Sequence, residues 1–310
     1  MNTFYSISEF KSKKPTVLTI GTFDGMHIGH QKILDKVFKV AADKKLASLV
    51  LTFFPHPRMV LQKESDIKLI HTIDERKAIL EESGLESLII HPFSKEFSRL
   101  TATEFVRDIL VKKLNIKHII IGYDHRFGRN RTANIEDLKD FGELYGFTVE
   151  EISVQDINEV AVSSTKIRKA INEGDLMTAN KYLGSQFELN GVITRGKGIG
   201  KTINFPTANI QIKEDYKIIP KNGVYIARAL INGKELRGMM NIGSNPTVNG
   251  ETNSIEIHLF DFNEDVYNKE ISVKVLKRIR DEQKFDSIAF LQNQLVKDQQ
   301  EAINYFNKNE

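Results

Sequence analysis

Two imidazoles three residues apart, His27 and His30, stand in the string Gly21-Thr-Phe-Asp-Gly-Met-His-Ile-Gly-His30. On the first turn of a helix, side chains at that spacing face the same way. Gly21, Gly25 and Gly29 let the backbone come close to a ligand. A β-branched and apolar run at 17–20 precedes the string, and Ile33, Leu34, Val37, Phe38, Val40 and Ala41 follow at helical spacing. The pattern is a strand-to-helix turn, which offers unpaired N–H groups and the positive end of a helix dipole; its expected ligand is a phosphate. Ordinary tight turns share this composition. A metal is the other reading of a histidine pair, but no third His or Cys lies nearby and Asp24 alone completes a poor zinc site.

Three further constellations carry chemistry. Ser163, Ser164 and Thr165 are N-cap candidates for a helix through Ala170 and Ile171, and hydroxyls there form an anion cradle that Arg168 can reach. Arg195-Gly-Lys-Gly-Ile-Gly-Lys201 is a glycine-rich basic loop without Walker spacing. Its amides, at Gly196, Gly198, Gly200 and Lys201, can fold round a polyphosphate, and nearby Thr207 and Asn209 are suitable hard ligands for Mg²⁺. In Ser254-Ile-Glu-Ile-His-Leu-Phe260, strict alternation sets Glu256 and His258 opposite Ile255, Ile257 and Leu259. Read blandly, these are a capped helix, a hairpin tip and a solvated strand face.

Apolar runs at 17–20, 47–53, 87–91, 118–121 and 148–152 alternate with helical patterns at 30–44, 73–83, 102–113 and 135–145. That alternation predicts a Rossmann-like, doubly wound α/β domain whose loops hold the chemistry. The prolines flanking His56 in Thr52-Phe-Phe-Pro-His-Pro57 predict a stiff loop leaving the sheet. From Phe187 the pattern changes to strand-like runs with Asn-Gly at 190, 222, 232 and 249. Asn-Gly is the strongest short hairpin signal, so an antiparallel β-barrel or sandwich is expected, with a terminal helix carrying Leu291, Leu295, Ala302 and Phe306. The expected domains are 1–183 and 184–310. A chain of 310 residues fits two domains, and 40% apolar with 27% charged residues is ordinary globular composition. There are no cysteines, no apolar run approaches the roughly 18 residues of a bilayer span, and residues 1–6 lack signal-peptide character. A cytoplasmic location is expected. A net charge of +3 is too small to argue for nucleic acid or a membrane surface.

The whole string G-x-F-D-G-x-H-x-G-H resembles the HxGH signature of nucleotidyltransferases, in the form found in the prokaryotic bifunctional riboflavin kinase/FAD synthetase family. Ser163-Ser-Thr-Lys-Ile-Arg168 resembles that family's S-S-T-x-I-R, and Phe205-Pro-Thr-Ala-Asn209 is similar to the riboflavin kinase hallmark F-P-T-A-N. Gly122-Tyr-Asp-His-Arg-Phe-Gly128 is similar to G-x-D-F-R-F-G, with His125 in place of Phe; Ala133, Asn204 and Asn268 stand where glycine is common.

The resemblance implies an N-terminal FMN adenylyltransferase domain, a C-terminal riboflavin kinase barrel, Mg²⁺ as cofactor and ATP and flavins as substrates. It implies ATP contacts at Gly21, Phe23, Asp24, Gly25, His27, His30, Asp124, Arg126, Ser163, Ser164, Thr165 and Arg168, with His27, His30 and Arg168 catalytic. Phe53, Pro55, Pro57 and Phe127 would line the flavin side. In the kinase it implies nucleotide contacts at Gly196, Gly198, Gly200, Lys201, Thr207 and Asn209, the metal on the last two, a catalytic base at Glu256, and flavin contacts at Arg280 and Glu282. A monomer or weak homo-oligomer is expected. The alternatives are a kinase whose N-terminal domain binds without adenylylating, a flavin sensor, and transfer of a nucleotide to a non-flavin phosphate.

Overall fold

The computed structural model describes all residues except 13, 63–64, 123–124, 153–161, 197–198, 248–249 and 310, and only the backbone of 199, 201, 245–247 and 250–253. Asp124, Gly198, Asn249 and the side chain of Lys201 therefore lie outside the described residues. The chain divides into two compact units, Met1–Ser164 and Thr165–Glu310.

The first unit is built on β1 (Asn2–Phe4), β2 (Thr16–Ile20), β3 (Ala47–Phe53), β4 (Ser87–His91), β5 (Ile116–Gly122) and β6 (Thr148–Ile152). They form one parallel sheet in the order β1-β4-β3-β2-β5-β6. Every residue of β2 and β3 is buried, as central strands covered on both faces require. The order reverses at β2, with β3 on one side and β5 on the other, so the loops after β2 and β5 border the crevice at the switch point. The edge strand β1, only three residues long, has no periodic signal in the sequence.

Helices α1 (Ile28–Lys44), α2 (Pro57–Leu61), α3 (Ile73–Glu82), α4 (Ala102–Glu104, running on as a π-helical stretch Phe105–Val111) and α5 (Ile135–Tyr145) cover the sheet. The stripe expected on α1 is buried at Leu34, Val37 and Val40. Thr72 with Glu75 and Asn134 with Asp137 form capping boxes that fix where α3 and α5 begin. The stiff loop expected at 52–57 turns out to start a helix. His56 caps α2, its Nδ1 accepting from the Arg58 amide at 3.1 Å, and Pro57 takes the first position, where a missing N–H costs nothing.

In the second unit, α6 (Ser164–Glu173, its first residue in the first unit) and α7 (Leu176–Leu183) precede β7 (Phe187–Thr194), α8 (Ile199–Thr202), β8 (Ala208–Gln211), β9 (Gly223–Ile231), β10 (Lys234–Thr247), β11 (Gly250–Leu259), β12 (Glu270–Arg280) and α9 (Ile288–Asn309). The strands close an antiparallel barrel in the order β10-β11-β8-β7-β12-β9. Asn180 on α7 donates to the Val275 carbonyl at 3.0 Å and accepts from the Phe187 amide at 2.8 Å, which fastens α7 to the barrel. Ala302 and Phe306 of α9 are buried with Phe205, Ile226, Met239 and Leu276.

The Asn-Gly pairs do different jobs. Asn232 and Gly233, at φ 51° and 77°, make the β9–β10 hairpin turn. Asn190-Gly191 lies inside β7, where a Cβ on Gly191 would fall 2.5 Å from the Gln211 carbonyl oxygen of β8. There the glycine serves a close strand approach, and no hairpin forms.

Candidate active sites

In the first unit the chain leaves β2 through Gly21, whose amide donates to the Leu51 carbonyl at 3.1 Å. Phe23, Gly25 and Met26 have φ of 49°, 92° and 43°. Two non-glycine residues in the left-handed region within so short a turn mark a backbone shape held by its surroundings. His27 then caps α1, its Nδ1 accepting from the His30 amide at 3.4 Å. The two imidazoles stack, centroids 3.7 Å apart and planes 16° from parallel, with Phe23 tilted against His30 at 5.0 Å. His27 is thus the cap and not a first-turn residue, yet the pair faces together as the spacing predicts. Phe23 is buried beneath the turn with Met26, Leu34 and Val50.

Asp24 is fully buried. Its carboxylate accepts from the Ile70 amide at 3.0 and 3.2 Å and from the His71 amide at 3.1 Å, tying the turn to the segment before α3. The hydroxyl of Ser164 donates to the Asp24 carbonyl at 2.7 Å. Burial first, then the positive charges of His27, Arg76 and His71, hold the His30 imidazole well below its ordinary range. Its Nδ1 is buried and has no hydrogen-bond partner among the described residues. A neutral imidazole at the start of α1, at the positive end of the helix dipole, is suited to donate to an anion without repelling a second cation.

The loop after β5 gathers aromatic rings. Phe127 is 7% exposed, packs on Phe105 at 6.0 Å, and exchanges both backbone hydrogen bonds with Ala133 at 3.1 and 3.2 Å. Phe127 is therefore a core residue, and Ala133 fits its position without strain. Gly128, at φ 71°, passes the Ala102 backbone so closely that a Cβ would fall 3.0 Å from it. His125 stacks over Phe127 at 6.1 Å, and Arg126 is exposed. Phe53 meets Phe93 and Phe97 at 5.5 Å each. Pro55 is exposed and Pro57 half-buried. Thr165 is exposed and Arg168 half-buried on α6. Sequence reasoning missed His71, Arg76, Phe93 and Phe97; the Thr72-x-x-Glu75 box is the one local signal that would have drawn attention to the first two.

In the second unit the hydroxyl of Thr207 donates to Glu256 Oε2 at 2.9 Å. Glu256 on β11 faces Asn209 of β8 across the strand pair and Asn241 of β10 on its other side. Gly196 passes so near Asn209 that a Cβ would fall 2.0 Å from Nδ2, and a Cβ on Gly200 would fall 2.2 Å from the Phe205 carbonyl oxygen. The glycine-rich loop therefore lies directly against the Thr207–Asn209 segment. Arg195 stacks over Tyr267 at 5.1 Å and anchors the loop's start. Asn204 has φ 62° and Asn268 φ 61°; both occupy the left-handed region, where Asn is the side chain best tolerated after Gly. His258 Nδ1 donates to the Pro206 carbonyl at 2.8 Å and holds that segment to β11. Asn209 also forms one wall of a cleft of ~500 Å³ with Thr194, Lys217 and Ser254. Among the described residues no cluster of three His, Cys, Asp or Glu could hold a metal.

Arg280 and Glu282 are engaged by the protein itself. Arg280 Nε meets both Asp298 oxygens at 3.0 Å and Nη2 meets Oδ2 at 2.7 Å, and the guanidinium lies 5.7 Å from the Phe285 ring centroid. Glu282 accepts from Asn222 at 3.2 Å. Asp298, 1% exposed on α9, carries no local signal in the sequence.

The sequence pattern of FAD synthetase matches residues 9–166 and that of riboflavin kinase residues 183–306. The bifunctional riboflavin kinase/FMN adenylyltransferase of Bacillus subtilis is 37% identical over 297 residues, covering 94% of this chain and 92% of the relative. That of Escherichia coli strain K12 is 34% identical over 291 residues, covering 94% and 92%. A solved Streptococcus pneumoniae structure, described as a macrolide-efflux protein, is 34% identical and covers 97% of this chain and 98% of its own at a TM-score of 0.90. No helix among the described residues of this chain is long and apolar enough to cross a membrane. With both patterns matched in order and both units carrying the motif residues described above, the chain belongs to the bifunctional riboflavin kinase/FMN adenylyltransferase family.

Proposed function

We propose that this chain converts riboflavin to FAD in two ATP-dependent steps. The observation that carries this is the match of one chain to both families, end to end. In the kinase step the ribityl 5′-hydroxyl oxygen attacks the γ-phosphorus of ATP, the bond to the β-phosphate oxygen breaks, and FMN and ADP leave. Glu256 accepts the hydroxyl proton. The Thr207 hydroxyl, just before β8, and the Asn209 amide oxygen on β8 are hard oxygen donors that would hold Mg²⁺ with nucleotide phosphates completing its shell, beside the Glu256 carboxylate that serves as base. When bound there the cation supplies charge neutralisation at the transferring phosphoryl group. Thr207, by donating its proton to Glu256, keeps its lone pairs turned to such a ligand and holds the carboxylate in place.

In the second step an FMN phosphate oxygen attacks the α-phosphorus of ATP and pyrophosphate departs, giving FAD. His27 and His30 stabilise charge on the phosphates at the start of α1, with no covalent intermediate required. We assign residues 1–183 to adenylylation and 184–310 to phosphorylation. Flavins and ATP are the partners, with no nucleic acid or membrane involved and a monomer or weak homo-oligomer acting in the cytoplasm; the absence of cysteine and the modest net charge of +3 support this. The test is chromatography of flavin products after incubation with ATP and Mg²⁺, starting separately from riboflavin and from FMN, aerobically and under reduction. FAD from both starting points is expected. FMN accumulating with no FAD under any condition overturns the two-step reading and leaves a kinase.

A further inference from the structure

Arg76 is the largest fully buried side chain of the first unit, 1% exposed, and none of the sequence motifs includes it. It stands on α3 one turn after the Thr72 cap, and its Nη1 donates to the hydroxyl of Thr52 at 3.4 Å. Thr52, at the carboxyl end of β3, donates in turn to the Thr22 carbonyl at 3.2 Å. Arg76 thus reaches the phosphate-binding turn through one intermediary. A second tie runs in parallel, from the Ile70 and His71 amides to the Asp24 carboxylate. Together they set the turn from below at Thr22 and Asp24, on either side of Phe23 with its positive φ. Burying a guanidinium is expensive, so a fold that keeps one beneath a turn gains something from its charge or its fork of donors.

We infer that Arg76 is a positioning residue for adenylyl transfer: its guanidinium shapes the Thr22–His27 turn through Thr52 and adds a fixed positive charge beneath a site built for a polyphosphate. This rests on the assignment of His27 and His30 to that step. The groups around His30 are His27 on the same turn, His71 from the segment before α3 and Arg76 from α3, while Asp24 directs its carboxylate at the Ile70 and His71 amides. Three positive or ionisable neighbours and burial keep His30 neutral, and Arg76 is the one among them that stays charged at every working pH. Loss of Arg76 therefore lets His30 protonate at higher pH. Lysine at the same place restores charge without the planar fork.

The experiment compares Arg76→Met and Arg76→Lys in the full chain, following FMN-to-FAD conversion from pH 5.5 to 8.5 and riboflavin phosphorylation in the same preparations. Arg76→Met is expected to lose on the order of tenfold in kcat/KM for adenylylation, the scale of one removed charge near a phosphate. Its acid limb moves up in pH, its KM for ATP rises, and its kinase rate is unchanged, which reports an intact second unit. Arg76→Lys recovers the position of the acid limb but only part of kcat. NMR of ¹³C-labelled histidine in both variants reads the His30 titration without any turnover. A His30 titration that does not move in Arg76→Met, or a uniform loss of rate with an unshifted profile, overturns the inference. Should the wild type make no FAD, the assignment of the site fails on its own, and the His30 titration still decides whether Arg76 sets that imidazole.

Discussion

The Arg280–Asp298 pair joins the last strand of the barrel to its terminal helix, and Asp298→Asn tests whether that is its purpose. Asp298 is 1% exposed, and the Arg280 side chain is 15% exposed, so the pair is nearly sealed from water. Three N–H···O contacts of 2.7–3.0 Å link them. Removing one partner of a buried pair costs ~3–5 kcal/mol because the other charge is left behind. The amide of Asn keeps one acceptor oxygen, and Arg280 Nη1 retains the Asp281 carbonyl at 3.0 Å, so a loss at the lower end of that range, ~3 kcal/mol, is expected here. Gln294 also donates to Asp298 at 2.8 Å, and an Asn can still receive it. Urea unfolding of the full chain, followed with a probe on α9, should show the transition of the barrel unit moving to lower denaturant while that of the first unit stays in place. If the pair clamps the helix, the double variant Arg280→Met/Asp298→Met recovers most of the loss, since matched apolar groups replace a matched ion pair. A shift corresponding to less than ~1 kcal/mol in Asp298→Asn, the value of an exposed pair, refutes the clamp and returns Arg280 to the flavin contact that the motif suggested. A fall in riboflavin affinity without loss of stability would point the same way.

Glu256→Gln should lower kcat for riboflavin phosphorylation by about 10²–10⁴, the range of a general base, with little change in KM and none in FAD formation from FMN; steady-state rates of both reactions check it. His30, His91 and His118 are each held below the ordinary imidazole range, in every case by burial first, and all three lie in the first unit. A group with a depressed folded pKa must take up a proton on unfolding below its unfolded value, so its contribution is complete above pH ~6.5 and is lost as pH falls below it. Calorimetry between pH 7.5 and 5 should therefore show the first unit's transition falling with acid, and His118→Gln, which also removes contacts to Lys44 and Glu150, should flatten that slope.

What is legible in the sequence is what short range determines. The turn at 21–27, the helices over 73–83 and 135–145, and the alternation at 254–260 are each fixed by neighbours within one or two turns of chain, and each occurs where the residues predict, while the capping boxes at Thr72 and Asn134 are local signals that the sequence carries and the structure brings out. The stacking of His27 on His30 follows from their spacing. Asp24 shows where that logic ends: in the sequence it reads as part of a phosphate motif, while its partners are amides 46 and 47 residues away. Arg76 and Asp298 stay hidden for the same reason, since a charged residue within a helix reads as solvated until the fold closes over it. Asn190-Gly191 misleads because a glycine that lets β8 pass is written the same way as one that turns a chain. His56 and Pro57 mislead in the other direction, a cap and a first-turn proline taken for a loop.

Barrel closure also decides how the two units resist self-association. Among the described residues the six barrel strands pair in a closed ring, so no strand of the barrel is an edge strand. The open sheet has two edges, and each is blunted differently: β1 by a length of three residues, β6 by Glu150 and Glu151 side by side along its five. Edge-to-edge addition of a second chain is thereby discouraged at both ends. During synthesis β2 emerges long before its partner β5, and β7 long before β9 and β12 can complete the ring. The barrel therefore has no closed edge in the interval between the appearance of β7 and the pairing of β12 with it, and its finished ring is what removes that exposure.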